Sequence, residues 1–133
     1  MIFPPAVSIR TKVVFTGLLF VAFASLSMTF KPKAVAWTNE KSYDFGSVEL
    51  GSTTGTSFSF RNTSDQPVLL QTVRTTCGCT AAKWPEQPVA PGATGEIRIE
   101  YVAEHSGPFR KKIRVFFDAM RKPEILYIYG TVD

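Results

Sequence analysis

From Ser42 onward the chain alternates between apolar and polar residues with a period of two. The alternation is clearest in residues 95–102, where apolar side chains at every second position are separated by charged ones, and it recurs in residues 56–60 and 111–117. Successive side chains of a β-strand point to opposite faces, so this pattern predicts strands that cover a core on one side only. No stretch sustains the apolar i, i+3, i+4, i+7 repeat of an amphipathic helix, and we therefore predict an all-β domain.

Clusters of Gly, Pro, Asn and Asp divide this region at intervals of about 8–12 residues, which is the spacing of a β-sandwich. They delimit about seven strands, near residues 43–49, 56–60, 68–73, 76–84, 95–102, 111–117 and 125–132. The segments 68–73 and 125–132 have apolar residues at both odd and even positions. This pattern predicts central strands or strands whose outer face is covered. Seven antiparallel strands in about 100 residues predict an immunoglobulin-like β-sandwich.

Residues 1–36 have a different pattern. Arg10 and Lys12 precede eighteen uncharged residues, 13–30, and the small residues Ala34 and Ala36 follow. A basic start, an apolar stretch and a small-x-small site are typical of a secretory signal peptide. We therefore predict a signal peptide at residues 1–36, or an uncleaved membrane-anchor helix, because eighteen residues reach the lower end of the roughly 17–25 that span a bilayer. The sandwich would occupy residues 37–133 and lie in the periplasm or outside the cell.

The formal net charge of +4 belongs to this N-terminal segment. It holds four of the fifteen Lys and Arg residues and none of the eleven Asp and Glu residues, so residues 37–133 carry eleven of each. A neutral domain lacks the excess positive charge of nucleic-acid-binding proteins. We predict no nucleic-acid partner, and contact with a membrane only through the N-terminal segment if it is not cleaved.

The most unusual chemical feature is Cys77-Gly78-Cys79. In an extended strand the two Cβ atoms would lie about 6.5–7 Å apart, whereas a disulfide needs about 3.5–4.5 Å. An extended segment therefore predicts free or metal-bound thiols, and a disulfide requires the chain to fold back at Gly78. An exported compartment favours oxidation, while two thiolates supply half of a tetrahedral Cu(I) or Zn site. Bridged, free and metal-bound states all stay open, and Cys77 and Cys79 are the candidates for redox or metal chemistry.

Catalytic motifs are missing from the rest of the sequence. It contains no G-x-S-x-G, Walker loop or H-E-x-x-H. His105, the single histidine, falls in a predicted turn, and nothing in the sequence places it near the cysteines. The acidic residues fall on predicted outward positions that face solvent. We therefore predict no catalytic residue, no cofactor and no enzyme activity.

Two polar segments have alternative interpretations. The basic run Arg110, Lys111, Lys112 and Arg114 is predicted to protect an edge strand from pairing with other chains, and an anionic polymer is the alternative partner. Asn62-Thr63-Ser64 matches a glycosylation sequon. The prediction there is a turn in which side chains bond to the backbone.

Several short motifs together are typical of one family. They are Tyr43-Asp44-Phe45-Gly46-Ser47-Val48, Phe58-x-Phe60-x-Asn62, Thr75-Thr76-Cys77-Gly78-Cys79-Thr80, Trp84-Pro85, Pro91-Gly92 and Gly107-x-Phe109-x-Lys111. Over about residues 42–132 the chain closely resembles the secreted bacterial family known as domain of unknown function 1573. The resemblance implies a Hydin-type immunoglobulin-like sandwich, related to major sperm protein and pilus-chaperone domains. It also implies export and a family signature at Cys77 and Cys79, but no activity.

Together these observations predict an exported, non-enzymatic β-sandwich module. It would bind or scaffold another protein or a cell-envelope component, through a sheet edge or the loops at the end of the sandwich. The alternative is a small redox or copper- or zinc-handling protein that uses the Cys77-Gly78-Cys79 pair.

Overall fold

The computed structural model describes residues 33–133, which form two four-stranded sheets around one core. The strands are β1 (Val35–Trp37), β2 (Ser42–Val48), β3 (Thr53–Asn62), β4 (Leu70–Thr75), β5 (Thr80–Lys83), β6 (Thr94–Val102), β7 (Gly107–Phe117) and β8 (Glu124–Val132). Sheet 1 has the order β1-β3-β6-β5 and sheet 2 the order β2-β8-β7-β4. The predicted immunoglobulin-like sandwich is confirmed. The described residues contain no helix with the length and apolar character that a membrane crossing requires.

The strand list differs from the prediction in two respects. The seven predicted strands are β2 to β8, and an eighth, β1, pairs with β3. The pair β2–β8 is parallel, which corrects the expectation of antiparallel strands throughout. Antiparallel neighbours can be joined by a tight hairpin, whereas a parallel pair needs a long connection. β2 and β8 come from opposite ends of the domain, so the chain between them provides that connection.

The inward faces of both sheets supply the core. Its largest fully buried side chains are Phe58, Phe60, Ile97 and Ile99 from sheet 1, and Ile113, Phe117, Leu126 and Ile128 from sheet 2. Phe60 meets Phe117 edge to face, with ring centroids 5.0 Å apart, and Trp37 packs edge-on against both rings. Such edge-to-face pairs contribute about 0.5–1.5 kcal/mol beyond their buried area.

β4 does not occupy the predicted place. Residues 68–73 were expected to form a central strand or a strand whose outer face is covered. β4 is an edge strand of sheet 2, and its outward residues Gln71 and Arg74 are exposed, so this prediction is wrong. A bulge between Leu70 and Thr72 shifts the register and brings Leu70 and Val73, three residues apart, to the same buried face. The extra residue of a bulge exchanges the inward and outward positions of the strand. This exchange explains why apolar residues occur at both odd and even positions of this segment. β8, by contrast, is central as predicted.

Asn62 closes the turn after β3. Its buried amide donates from Nδ2 to the carbonyls of Gln66 and Val89, at 2.7 and 2.9 Å. Its Oδ1 accepts from the backbone N–H and hydroxyl of Ser64, at 2.9 and 2.7 Å. Both amide hydrogens are therefore used inside the protein, and the predicted backbone-bonding turn is confirmed at this sequon.

Strand β1 contains the predicted signal-peptide cleavage site. Val35 is buried in the core, so cleavage after Ala36 would divide this strand. The signal-peptide or anchor interpretation of residues 1–36 falls largely outside the described residues and stays a prediction.

We expect a chain that begins at Trp37 to be less stable than one that begins at Lys33. The shorter chain loses the burial of Val35, which contributes about 1.5–3 kcal/mol, together with the backbone pairing of β1. Urea unfolding of the two chains measures the difference. Equal midpoints would show that β1 contributes nothing to the fold.

Gly95→Ala should destabilise the domain by about 1–3 kcal/mol, the usual cost of overpacking a core. Gly95 lies opposite Phe60 in the β3–β6 ladder, and an added Cβ would overlap the buried Phe60 ring. Gly78→Ala is the matched control, because an added Cβ there meets nothing within 4 Å. We expect that control to change the free energy of unfolding by less than about 0.5 kcal/mol. Equal effects of the two substitutions in urea unfolding would contradict this account of the core.

Candidate functional site

The cysteine pair lies in the turn that joins β4 of sheet 2 to β5 of sheet 1. The Thr75 hydroxyl donates to the carbonyls of Cys77 and Thr80, each at 3.2 Å, and holds the turn closed. Cys77 and Cys79 form a disulfide with a Cα–Cα distance of 5.3 Å. The bridged state is therefore the one observed, and the chain folds back around Gly78 as a bridge requires.

The Thr80 hydroxyl lies beside both sulfur atoms. Thr80 is buried, and its Oγ1 is 3.6 Å from Cys77 Sγ and 3.9 Å from Cys79 Sγ. A disulfide sulfur carries no hydrogen, so the donor is the Thr80 hydroxyl, whose single hydrogen the two sulfurs share. A buried donor is thus directed at the disulfide.

The disulfide contributes little to stability. On the chain-entropy relation a closed loop of three residues restricts the unfolded chain by only about 1.6 kcal/mol, against about 4.7 kcal/mol for a loop of 100 residues. Both cysteines are half-buried, and Cys79 packs against the core. The core itself is built from residues of the two sheets and does not depend on the bridge.

A small cavity opens next to Cys79 at the end of the sandwich. It has a volume of about 130 Å³, and its walls include Cys79, Tyr101, His105, Phe109 and Lys111. The Tyr101 and Phe109 rings of this wall stack on each other with centroids 4.1 Å apart. Burial raises the pKa of Tyr101, and the nearby charge of Glu104 raises it further, so the phenol keeps its proton at neutral pH.

His105 is exposed in the β6–β7 turn, as the sequence predicted. The structure nevertheless brings it into the wall of the same cavity as Cys79, a proximity that the sequence did not indicate. The two residues belong to different turns, and only the pairing of β5 with β6 places those turns at one end of the sandwich.

Residues 33–133 do not provide a set of ligands for a metal ion. No group of three or more His, Cys, Asp or Glu residues there could hold a metal ion. Metal binding by cysteine requires thiolates, and Cys77 and Cys79 are joined as a disulfide.

The basic run lies on a central strand. Arg110, Lys112 and Arg114 occupy outward positions of β7, alternating with inward residues such as the buried Ile113. β7 lies between β8 and β4 in sheet 2, so both of its edges are already paired. The prediction that this run protects an edge strand is therefore wrong. Alternation along the chain predicted the outward direction of these side chains but carried no information on the position of the strand in the sheet.

Neighbouring strands extend this surface. Arg74 of β4 lies directly opposite Arg114, and its guanidinium lies 5.4 Å from the centroid of the Phe116 ring. The Arg110 guanidinium lies 4.4 Å from the centroid of the Tyr127 ring. No outward position of β4, β7 or β8 is acidic, and the exposed Asp44 of the edge strand β2 lies beside Tyr129 at the far side of the sheet. We call this surface the cationic face, and its residues are Arg74, Arg110, Lys112, Arg114, Phe116, Tyr127 and Tyr129.

Glu124 is a buried acidic residue that the sequence analysis missed. It binds the Lys33 and Lys41 ammonium groups and accepts a hydrogen bond from Trp37 Nε1 at 3.2 Å. Burial alone would raise the pKa of this carboxyl, but the bonds from these three partners outweigh burial and lower it. Lys41 and Trp37 lie 83 and 87 residues away in the chain, so no local pattern marks Glu124 as buried.

Comparison with known proteins gives one family and a set of distant structures. A family model described as "Protein of unknown function (DUF1573)" matches residues 36–132. No curated protein matches the sequence.

The structural matches share the fold at low sequence identity. A protein of unknown function from Porphyromonas gingivalis W83 is 19% identical with a TM-score of 0.63, covering 76% of this chain and 50% of that one. The ASH / PapD-like domain 7 of human CEP192 is 13% identical with a TM-score of 0.64, covering 82% and 96%. The secreted serine protease VesC from Vibrio cholerae is 15% identical with a TM-score of 0.57, covering 74% and 23%. The chain thus spans half of the Porphyromonas protein and about a quarter of VesC, and these likenesses show the fold alone.

Glu124→Gln should remove a pH-dependent contribution to stability. The folded-state pKa of Glu124 is lowered, so the ionised carboxylate stabilises the fold above the unfolded value of about 4.3 and this contribution is lost as the pH falls through the folded pKa. We expect the variant to lose about 1–2 kcal/mol at pH 7, from the bonds to its charged partners. The difference from the unaltered protein should shrink as the pH falls below about 4.

Urea unfolding between pH 3 and pH 7 measures this difference. Glu96→Gln, at an exposed position on sheet 1, is the matched control and should leave the pH profile unchanged. A constant difference between Glu124→Gln and the unaltered protein at all pH values would contradict the assignment.

Proposed function

The chain belongs to the family described as Protein of unknown function (DUF1573), as the resemblance predicted. We propose that it is a non-enzymatic module that binds an acidic protein surface through its cationic face. We propose an exported location, periplasmic or extracellular. The N-terminal pattern supports it, and so does the disulfide, because disulfides persist in oxidising compartments.

The cationic face carries the proposal. Residues 37–133 have equal numbers of basic and acidic residues, yet four cations gather on this one face. Arg74 and Arg114 are directly opposite each other, and like charges in that position destabilise a sheet. Carboxylates of a partner would relieve this repulsion. The repulsion between the two arginines therefore favours binding of an acidic partner.

The composition of the face favours a protein partner. Three of its four cations are arginines, and Arg and aromatic residues are enriched where proteins bind each other. Two of the guanidiniums lie over aromatic rings, which holds their planar donors in place. A positioned guanidinium can bind a carboxylate through two parallel hydrogen bonds, an arrangement that Lys cannot reproduce.

The face is better suited to this role than the sheet edges. β1 and β5 have only 3 and 4 residues, and the edge strands β2 and β4 both contain register shifts. Short or bulged edges offer few consecutive unpaired backbone groups to an added strand. The expected sheet-edge contact therefore has less support than contact through the face.

The double substitution Arg110→Gln/Arg114→Gln tests the proposal, with fluorescent poly-L-glutamate peptide as the probe. We expect the unaltered protein to bind with an affinity that falls as salt is added, and the double variant to bind at least about tenfold more weakly. Fluorescence anisotropy titrations give both affinities.

Arg61→Gln/Arg98→Gln, on the outer face of sheet 1, is the matched control. It removes the same charge from a surface that also carries Glu96 and Glu100, and we expect the affinity to change by less than about twofold. Equal weakening in both double variants would contradict a specific face. Stronger, Arg110-dependent binding of polyphosphate than of poly-L-glutamate would overturn the protein partner.

A further inference from the structure

We propose that the Cys77–Cys79 disulfide exchanges with a dithiol of another protein. Cys79 is the attacked sulfur, and the Thr80 hydroxyl stabilises the Cys77 thiolate that leaves. This inference is independent of the cationic face, which lies on the outer side of sheet 2.

The disulfide can open without loss of the fold. It bridges residues only two apart, within the turn between β4 and β5, and neither cysteine belongs to a strand. The paired positions of the strands are other residues, and Cys79 adds only one backbone bond, from the Val102 N–H to its carbonyl at 2.8 Å, which does not involve its sulfur. The bridge is therefore free to change its redox state.

Both cysteines are half-buried, and the cavity at the end of the sandwich gives one route to the bridge. Of the two cysteines, only Cys79 is among the described residues that line the cavity at the end of the sandwich. The same wall includes Lys111, whose positive charge attracts an approaching thiolate, and also His105 and Glu104. A nucleophile that enters the cavity thus reaches Cys79 first.

Thr80 favours the reduced state. Its buried hydroxyl donates toward sulfur atoms that accept hydrogen bonds weakly while they are bridged. A thiolate is a far stronger acceptor, so the same contact strengthens when the disulfide opens. Oγ1 lies 3.6 Å from Cys77 Sγ and 3.9 Å from Cys79 Sγ, so its hydrogen is within reach of Cys77 when that sulfur leaves as a thiolate.

The exchange proceeds in two balanced steps. A thiolate of the partner attacks Cys79 Sγ, the Sγ–Sγ bond breaks, and Cys77 leaves as a thiolate with both electrons of that bond. The second thiolate of the partner then attacks the partner sulfur of the mixed disulfide and releases the Cys79 thiolate. The partner dithiol is oxidised to a disulfide, this protein gains two electrons, and the two protons from the partner thiols end on Cys77 and Cys79.

Trapping the intermediate in the unaltered full chain tests which sulfur is attacked. Glutathione serves as the thiol, N-ethylmaleimide quenches the reaction early, and peptide mass spectrometry locates each adduct. We expect glutathione on Cys79 and the maleimide on Cys77. The reverse pattern, an equal mixture, or a disulfide that glutathione does not open would overturn the proposal.

Substitution of Thr80 tests the role of its hydroxyl. We expect Thr80→Val to lower the equilibrium constant for reduction in glutathione buffer about tenfold, a shift of about 30 mV to more negative potential, and to raise the thiol pKa. Thr80→Ser keeps a hydroxyl and should stay within about twofold of the unaltered protein. Equal constants for the two variants would overturn the role of Thr80, and the trapping experiment decides the exchange even if Thr80→Val does not fold.

Discussion

The inward faces of the two sheets are buried against each other, and this packing determines which side chains are left to face solvent. Phe60 of sheet 1 and Phe117 of sheet 2 meet at the centre of the core, and fully buried aliphatic residues surround them. Because alternate residues of each strand are committed to this core, the residues between them face outward and are free to carry charge. The cationic face is the outward half of strands whose inward half holds the fold together.

The sequence predicted what depends on local alternation. Seven strands, their inward residues and the sandwich follow from a period of two and from turn residues, and these were found. Features that depend on residues far apart in the chain were not predicted. The β4 bulge at Leu70, the central place of β7, the burial of Glu124 and the approach of His105 to Cys79 all depend on which strands become neighbours. The pattern of residues along one chain carries little information about which strands become neighbours.

The structure separates two chemistries. The cationic face presents fixed positive charge on one side of the sandwich, whereas the disulfide lies in a turn that links the two sheets at the end of β4. The turn tolerates an open or closed bridge because its stability comes from the flanking strands and from the Thr75 hydroxyl. Neither proposal depends on the other, so binding and thiol exchange can each fail alone.

A map of where an acidic partner binds would show directly whether the cationic face is the binding surface. Nuclear magnetic resonance of the isotopically labelled protein, titrated with a glutamate-rich peptide, reports the shift of each backbone amide. Binding at the cationic face predicts shifts that concentrate on β4, β7 and β8, around Arg74, Arg110 and Arg114, and that disappear at high salt. Shifts concentrated on sheet 1 or on the end loops, or shifts insensitive to salt, would contradict it.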